Sequence, residues 1–288
     1  MPTEMNPGPS AQDDRSLHQH PTGKVRRMLR ECSGFIFDLD GTIYLGDELI
    51  PGADRLVRGL RQAGKSVAFL SNKPIARRES YARKLRNLGV ACEDHEVINS
   101  SLVLARYLQR TAPGAHFYPI AEEPVVEDLR DHGLVPCERP EEIEVVVVSW
   151  DREVNYEKLR VAYQAAVNGA MLVGTNPDRT CPMPGYDLPD AACMIAAVEA
   201  CTEKKVEPVV GKPSRIMLEE VLALLKLPAH SCVMVGDRCG TDMVMAENTG
   251  LRSVLVLSGV TGETDLEDRP VHPDVVLESV AEFLPALE

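Results

Sequence analysis

Two carboxylates at i and i+2, closing the apolar run of FDLDGT, are the first residues whose spacing could do chemistry. In an extended segment such side chains point the same way, so Asp38 and Asp40 can share one metal ion or divide the roles of nucleophile and acid. Gly41 lets the backbone approach an anion and offer its N–H. An isolated Asp-Gly is also a common plain turn, so the other polar strand tips carry weight. Ser71 and Asn72, ahead of Pro74, place a hydroxyl, an amide and free helix N–H groups where an oxyanion would sit. By themselves they read first as a plain helix cap. Lys212, in VVGKPS, is a mobile point charge for a phosphoryl group, or one more solvated lysine. VMVGDRCGTDM adds Asp237 and Asp242, with Gly236 and Gly240 allowing tight turns around a metal. Hard carboxylate oxygens without accompanying His or Cys favour Mg²⁺ over zinc.

The elements that must position these groups are legible. Continuous apolar runs occur at 34–40, 65–71, 144–150, 170–175, 232–237 and 253–258, the pattern of strands buried on both faces. Helix-patterned stretches lie between them, at 53–64, 75–89, 156–169, 191–203 and 214–226, and the first three end in Gly, as a left-handed C-terminal cap requires. The fold class is therefore α/β, a doubly wound parallel sheet, in which polar groups at the carboxyl ends of strands gather in one crevice. Asp38 and Asp40, Ser71 and Asn72, and Asp237 all fall at such ends.

With 288 residues the chain is long enough for two compact units. Lys and Arg total 31 against 44 Asp and Glu, a net charge of −13 that argues against nucleic acid or anionic membrane partners. Any phosphate site must then carry local donors or a metal. The eight cysteines show no C-x-x-C pair and no zinc spacing, and are read as reduced, mostly buried thiols, with Cys193 and Cys232 inside apolar runs. No stretch has the ~20 apolar residues of a membrane span, and a cytoplasmic location is expected. The Pro- and Gly-rich opening reads as a disordered tail, placed at 1–30.

DLDGT, then S-N, then G-K-P, then G-D-R-x-x-x-D, in this order, resemble the four motifs of the haloacid dehalogenase superfamily of phosphohydrolases, and the likeness runs from about Gly34 to Leu257. About thirty residues separate Asp40 from Ser71 but roughly 140 separate Ser71 from Lys212, so an extra α/β cap belongs in the second gap, at 113–206, between core segments 31–112 and 207–288. With TNPD (175–178) and LSGVTG (257–262), this is similar to the subfamily of nitrophenyl, phosphoglycolate, pyridoxal phosphate and nucleotide or sugar phosphatases. The resemblance implies Asp38 as nucleophile, through an aspartyl-phosphate, and Asp40 as general acid and base. It implies Mg²⁺ on Asp38, the Asp40 carbonyl and Asp237, a phosphoryl site of Gly41, Ser71, Asn72 and Lys212, and Asp242 orienting Lys212 or a metal water. A homodimer through the cap is the expected assembly.

The chain departs from the family pattern at Pro189-Asp190-Ala191-Ala192, where relatives carry P-G-A-G, and at Cys239-Gly240, where a bulkier pair is usual. Asp187 and Asp190 are accordingly expected to select substrate from the cap, with helix capping by Asp190 as the plainer alternative. The substrate is a small phosphorylated metabolite, sugar phosphates being favoured because a carboxylate accepts bonds from hydroxyls and repels a second acid group. Nucleotide, phosphoglycolate and pyridoxal phosphate remain as alternatives, and behind them a phosphotransferase or an idle binding protein of the same fold.

Overall fold

Gly34–Asp38, buried along its whole length, pairs on both sides within a six-stranded parallel sheet, as its uninterrupted apolar pattern demands. The computed structural model describes residues 21–183, 185–262 and 271–287. In chain order come α1 (Pro21–Glu31), β1 (Gly34–Asp38), β2 (Tyr44–Leu45), β3 (Glu48–Leu49), α2 (Ala53–Gln62), β4 (Ser66–Ser71), α3 (Arg78–Asn87), β5 (Val97–Asn99) and α4 (Ser100–Thr111). Next are β6 (His116–Ile120), α5 (Glu123–Asp131), β7 (Val135–Pro136), β8 (Val145–Val148), α6 (Tyr156–Val167), β9 (Met171–Gly174), β10 (Thr180–Met183), β11 (Tyr186–Pro189) and α7 (Ala191–Thr202). The chain closes with α8 (Arg215–Leu225), β12 (Cys232–Gly236), α9 (Val244–Thr249), β13 (Arg252–Val256), β14 (Val275–Leu277) and α10 (Leu284–Leu287).

The first sheet runs β14-β13-β12-β1-β4-β5 and the second β7-β6-β8-β9, while β2-β3 and β10-β11 are antiparallel hairpins. Alternation along β1 divides the core. Phe35 and Phe37 join Phe69, Val233 and Val235 on one face, and Ile36 joins Ala68, Leu70 and Met234 on the other. That second cluster continues into Phe117, Val145 and Val147 of the second sheet, so one apolar interior links the two sheets. A further cluster around Trp150, Val146 and Val148 covers the far face. Because β4, β1 and β12 are parallel and in register, Ser71, Asp38 and the residue after Gly236 emerge at one edge.

The five expected helices and six expected strands are present within a few residues, and Gly64, Gly89 and Gly169 follow helices with φ of 72°, 86° and 105°. Two expectations need correction. The tail assigned to 1–30 gives way to α1 from Pro21, because Val25, Met28 and Leu29 recur at helical spacing and are buried, in one cluster with Val280 and Phe283; residues 1–20 lie outside the described residues. Cys193 is exposed rather than buried, since α7 buries Ala191, Met194 and Val198 and turns Cys193 outward.

Candidate active site

Asp38 ends β1 at the carboxyl edge and faces Lys212 from across the sheet, the two side chains forming a hydrogen-bonded ion pair. Lys212 is 2 % exposed, and a bare buried ammonium would be prohibitively costly. Its Nζ also lies 2.7 Å from Asp242 Oδ1. Burial would pull the Lys212 ammonium down, but Asp242 and Asp38 more than offset that and hold it above its ordinary value. Asp242 sits in a π-helical turn, Cys239–Met243, and its Oδ2 accepts from Arg238 N at 3.1 Å. Burial raises its carboxyl to about 6, against the pull of Lys212.

Asp237 follows β12 beneath these groups. Its Oδ2 accepts from Val260 N at 2.6 Å and its carbonyl from Thr261 N at 3.2 Å, both from the loop after β13. Its Oδ1 is buried without a hydrogen-bond partner. Burial, then Asp38 and Asp242, push the Asp237 carboxyl well above the usual range. One oxygen from each of Asp38, Asp237 and Asp242 lies within 4.8 Å of the other two. Three crowded acids with an orphaned oxygen ask for a cation, and all-oxygen donors suit Mg²⁺.

Asp40 lies on the cleft side. Burial raises its carboxyl, and Lys73 Nζ, 3.5 Å from its Oδ1, opposes the shift. Tyr44 donates to its Oδ2 at 3.4 Å. Ser71 is buried, its hydroxyl oxygen accepting from Lys73 N at 3.1 Å. Asp38, Asp40, Ser71, Asn72 and Lys212 line one cleft of about 40 Å³, closed over from the second sheet's segment by Asp178, Cys181, Pro182 and Asp190.

Three expected contacts are placed differently. The Gly41 N–H donates to the Tyr44 carbonyl at 2.7 Å, so it is not offered to an anion; a Cβ at Gly41 would lie 2.5 Å from Asp237 Oδ2, so its glycine serves close approach and a φ of +83°. Asn72 spends both side-chain amide hydrogens within the protein, on Asp178 Oδ2 at 2.9 Å and the Lys212 carbonyl at 3.1 Å, so its carboxamide is committed even though the residue lines the cleft. Asp187 is exposed on β11 and stays out of the cleft, which the hairpin reaches through Cys181 and Pro182 of β10. Asp190 does face the cleft, and it also caps α7: its Oδ1 accepts from Ala191 N at 2.5 Å and Asn176 Nδ2 at 3.0 Å. Burial lifts its carboxyl to about 6 against those two bonds. Residues to which the sequence reading gave no role are Lys73, Asp178 and Arg238. Each adjoins a motif residue (S-N-K, T-N-P-D, G-D-R), and that adjacency was the available signal.

A family model for haloacid dehalogenase-like hydrolases matches residues 35–135, and a second, HAD-hydrolase-like, matches 209–283. The sugar-phosphatase AraL of Bacillus subtilis is 36% identical over 248 residues, 86% of this chain and 90% of that protein. Phosphoglycolate phosphatase 2 of Arabidopsis thaliana is 33% identical over 281 residues, 88% of this chain and 93% of that protein. Among solved structures, the p-nitrophenyl phosphatase of Archaeoglobus fulgidus superposes with a TM-score of 0.84 at 32% identity, covering 89% of this chain and 99% of that one.

Proposed function

The chain belongs to the haloacid dehalogenase-like hydrolases and is a phosphoric monoester hydrolase, and from that premise we propose that it dephosphorylates a small polyhydroxylated metabolite, a sugar phosphate before phosphoglycolate. The carrying observation is the convergence of Asp38, Asp40, Ser71 and Lys212 on one cleft above the buried Asp237. In this reading a carboxylate oxygen of Asp38 forms a bond to phosphorus as the ester P–O bond breaks, and Asp40 delivers a proton to the leaving oxygen. Asp40 then takes a proton from the water that attacks the aspartyl-phosphate, which frees phosphate and restores Asp38. Ser71 and Lys212 hold the transferring oxygens, and Asp242 keeps Lys212 in place. Asp38, Asp237 and the Asp40 carbonyl would hold Mg²⁺, which when bound supplies charge neutralisation around the phosphoryl oxygens.

Residues 113–206 act as the cap and bound the leaving-group half of the cleft. There Asp40 is paired with Lys73 at 3.5 Å and Asp178 with Arg238 at 3.6 Å, while Asp190 forms no ion pair among the described residues. One unbalanced carboxylate favours hydroxyls over a second acid group. The similarity to AraL points the same way. The exposed Tyr156, Tyr163 and Val167 lie along one stripe of α6 and suit a homodimer contact on the cap. No described helix is long and apolar enough to cross a membrane, and the proposed site of action is the cytoplasm. The test is release of inorganic phosphate from a panel of sugar phosphates, nucleotides, phosphoglycolate and pyridoxal phosphate, ranked by kcat/KM with Mg²⁺ present. Turnover led by a sugar phosphate and lost by orders of magnitude in Asp38→Asn is expected. Asp38→Asn retaining more than a few per cent would end the assignment of the nucleophile.

A further inference from the structure

The Asn72 carboxamide can sit only one way round. Its Oδ1 accepts from Lys212 N at 2.7 Å and its Nδ2 donates to the Lys212 carbonyl at 3.1 Å, so both backbone polar groups of Lys212 are pinned by one side chain. A flip would set oxygen against oxygen and N–H against N–H. The second Nδ2 hydrogen then needs an acceptor, and Asp178 Oδ2 supplies it at 2.9 Å across the cap boundary. Asp178 is itself held by Asn176 Nδ2 at 3.2 Å and stands 3.6 Å from Arg238 Nη1, beside Asp237. The seat beneath Lys212 is equally tight. A Cβ on Gly211 would lie 2.6 Å from the Thr175 carbonyl and 2.7 Å from Asn72 Oδ1.

On the phosphatase reading above, we infer that Asp178 is a positioning residue: from the cap it orients the Asn72 carboxamide that fixes the Lys212 backbone, so that the phosphate-binding lysine is seated only when the cap is closed. The path is continuous, from Asp178 to Asn72, from Asn72 to the Lys212 peptide groups, and from Lys212 Nζ to Asp38 and Asp242. Asp178 touches none of the reacting atoms in this scheme. Lifting the cap removes the acceptor from Asn72 and the counter-charge from Arg238 together, and so loosens the lysine while the site is open to water.

Steady-state kinetics of the full chain on 4-nitrophenyl phosphate and on the best sugar phosphate test this, with inorganic phosphate as competing ligand. Asp178→Ala should lower kcat/KM by roughly tenfold or more and weaken phosphate inhibition in parallel, since the anion site itself is disturbed. Asp178→Asn keeps an oxygen for the Asn72 amide but no charge for Arg238, and should restore most of the loss. The double variant Asp178→Ala with Asn72→Ala should be no worse than Asn72→Ala alone, because the first residue acts through the second. Losses that multiply in the double variant, phosphate inhibition that does not change, or Asp178→Asn as impaired as Asp178→Ala would each overturn the inference. If Asp178→Ala fails to fold, Asp178→Asn near wild type supports it and Asp178→Asn at the level of Asn72→Ala overturns it. Wild-type protein inactive on every ester would instead overturn the phosphatase reading.

Discussion

Asp190 does two things with one carboxylate, and the two separate with pH. It caps α7, which any acceptor can do, and it presents a charge to the leaving-group half of the cleft. Its folded carboxyl stands near 6 against an ordinary 3.8. A raised acid holds its proton longer folded than unfolded, so ionisation costs stability that is intact below 3.8 and is lost as pH rises to about 6. Asp190→Asn should therefore be more stable than wild type above that window, by up to about 3 kcal/mol, and the gap should close on acidification. Wild-type preference for sugar phosphate over phosphoglycolate should also weaken below about pH 6, and in Asp190→Asn at every pH. Denaturation midpoints and kcat/KM ratios between pH 4 and 8 read both, and an unchanged ratio in Asp190→Asn would leave only the cap. At this scale sequence shows type and not partner. Asp38, Asp40, Ser71 and Lys212 could be singled out only together, from their order along the chain, since each alone reads as a turn, a helix cap or a solvated lysine. The bonds that engage the Asn72 carboxamide and the Gly41 N–H were not visible in the sequence, because the Lys212 peptide and the Tyr44 carbonyl arrive by folding.

The loop after β13 is the element on which the acidic cluster depends. Gly259 sits so close to Asp237 that an added Cβ would lie 2.0 Å from its Oδ2, and Ser258 Oγ donates to the Gly41 carbonyl at 2.7 Å, binding this loop to the first one. Gly259→Ala should push the carboxylate out of line and raise the Mg²⁺ concentration for half-maximal activity by about tenfold or more, the usual scale when a ligand's support is lost. A titration of activity with Mg²⁺ that superposes on wild type would contradict this role. The five helices and six strands singled out have burial that repeats along them, but α4, twelve residues long, was not among them, nor were α5 and β6. Short ones escaped: β5 has three residues and β7 two, and the β10-β11 hairpin carries little apolar pattern. Convergence between elements escaped too. No zinc spacing is visible in the sequence, yet β6 and the segment after β7 bring His116, Cys137 and Glu142 within 4.8 Å, with Glu142 paired to Arg139.

As a whole, the protein is an acidic body that must attract an anion, and it concentrates three carboxylates where that anion would sit. A divalent cation resolves both problems, so Mg²⁺ should raise the thermal midpoint, with about 2.7 kcal/mol gained at a hundred times Kd. Chelation should abolish turnover and Mg²⁺ restore it. A midpoint indifferent to Mg²⁺, or full activity after exhaustive chelation, would contradict the all-oxygen site. The unequal gaps between motifs led only to the expectation of an insert in the longer gap, whereas the shared apolar cluster that joins the two sheets was invisible, because its members lie far apart in the chain. The strand order also sets a timetable for biosynthesis. β1 lies between β4 and β12, so one edge of the strand bearing Asp38 stays bare until Cys232–Gly236 has left the ribosome. At ordinary translation speeds that interval is roughly 10 to 40 s. All four strands of the second sheet, within 116–174, are made by then, but β1 spends the wait as an apolar, unpaired edge of the kind that invites aggregation. Nascent chains stalled ahead of Cys232 should therefore be the form of this protein that most needs a chaperone.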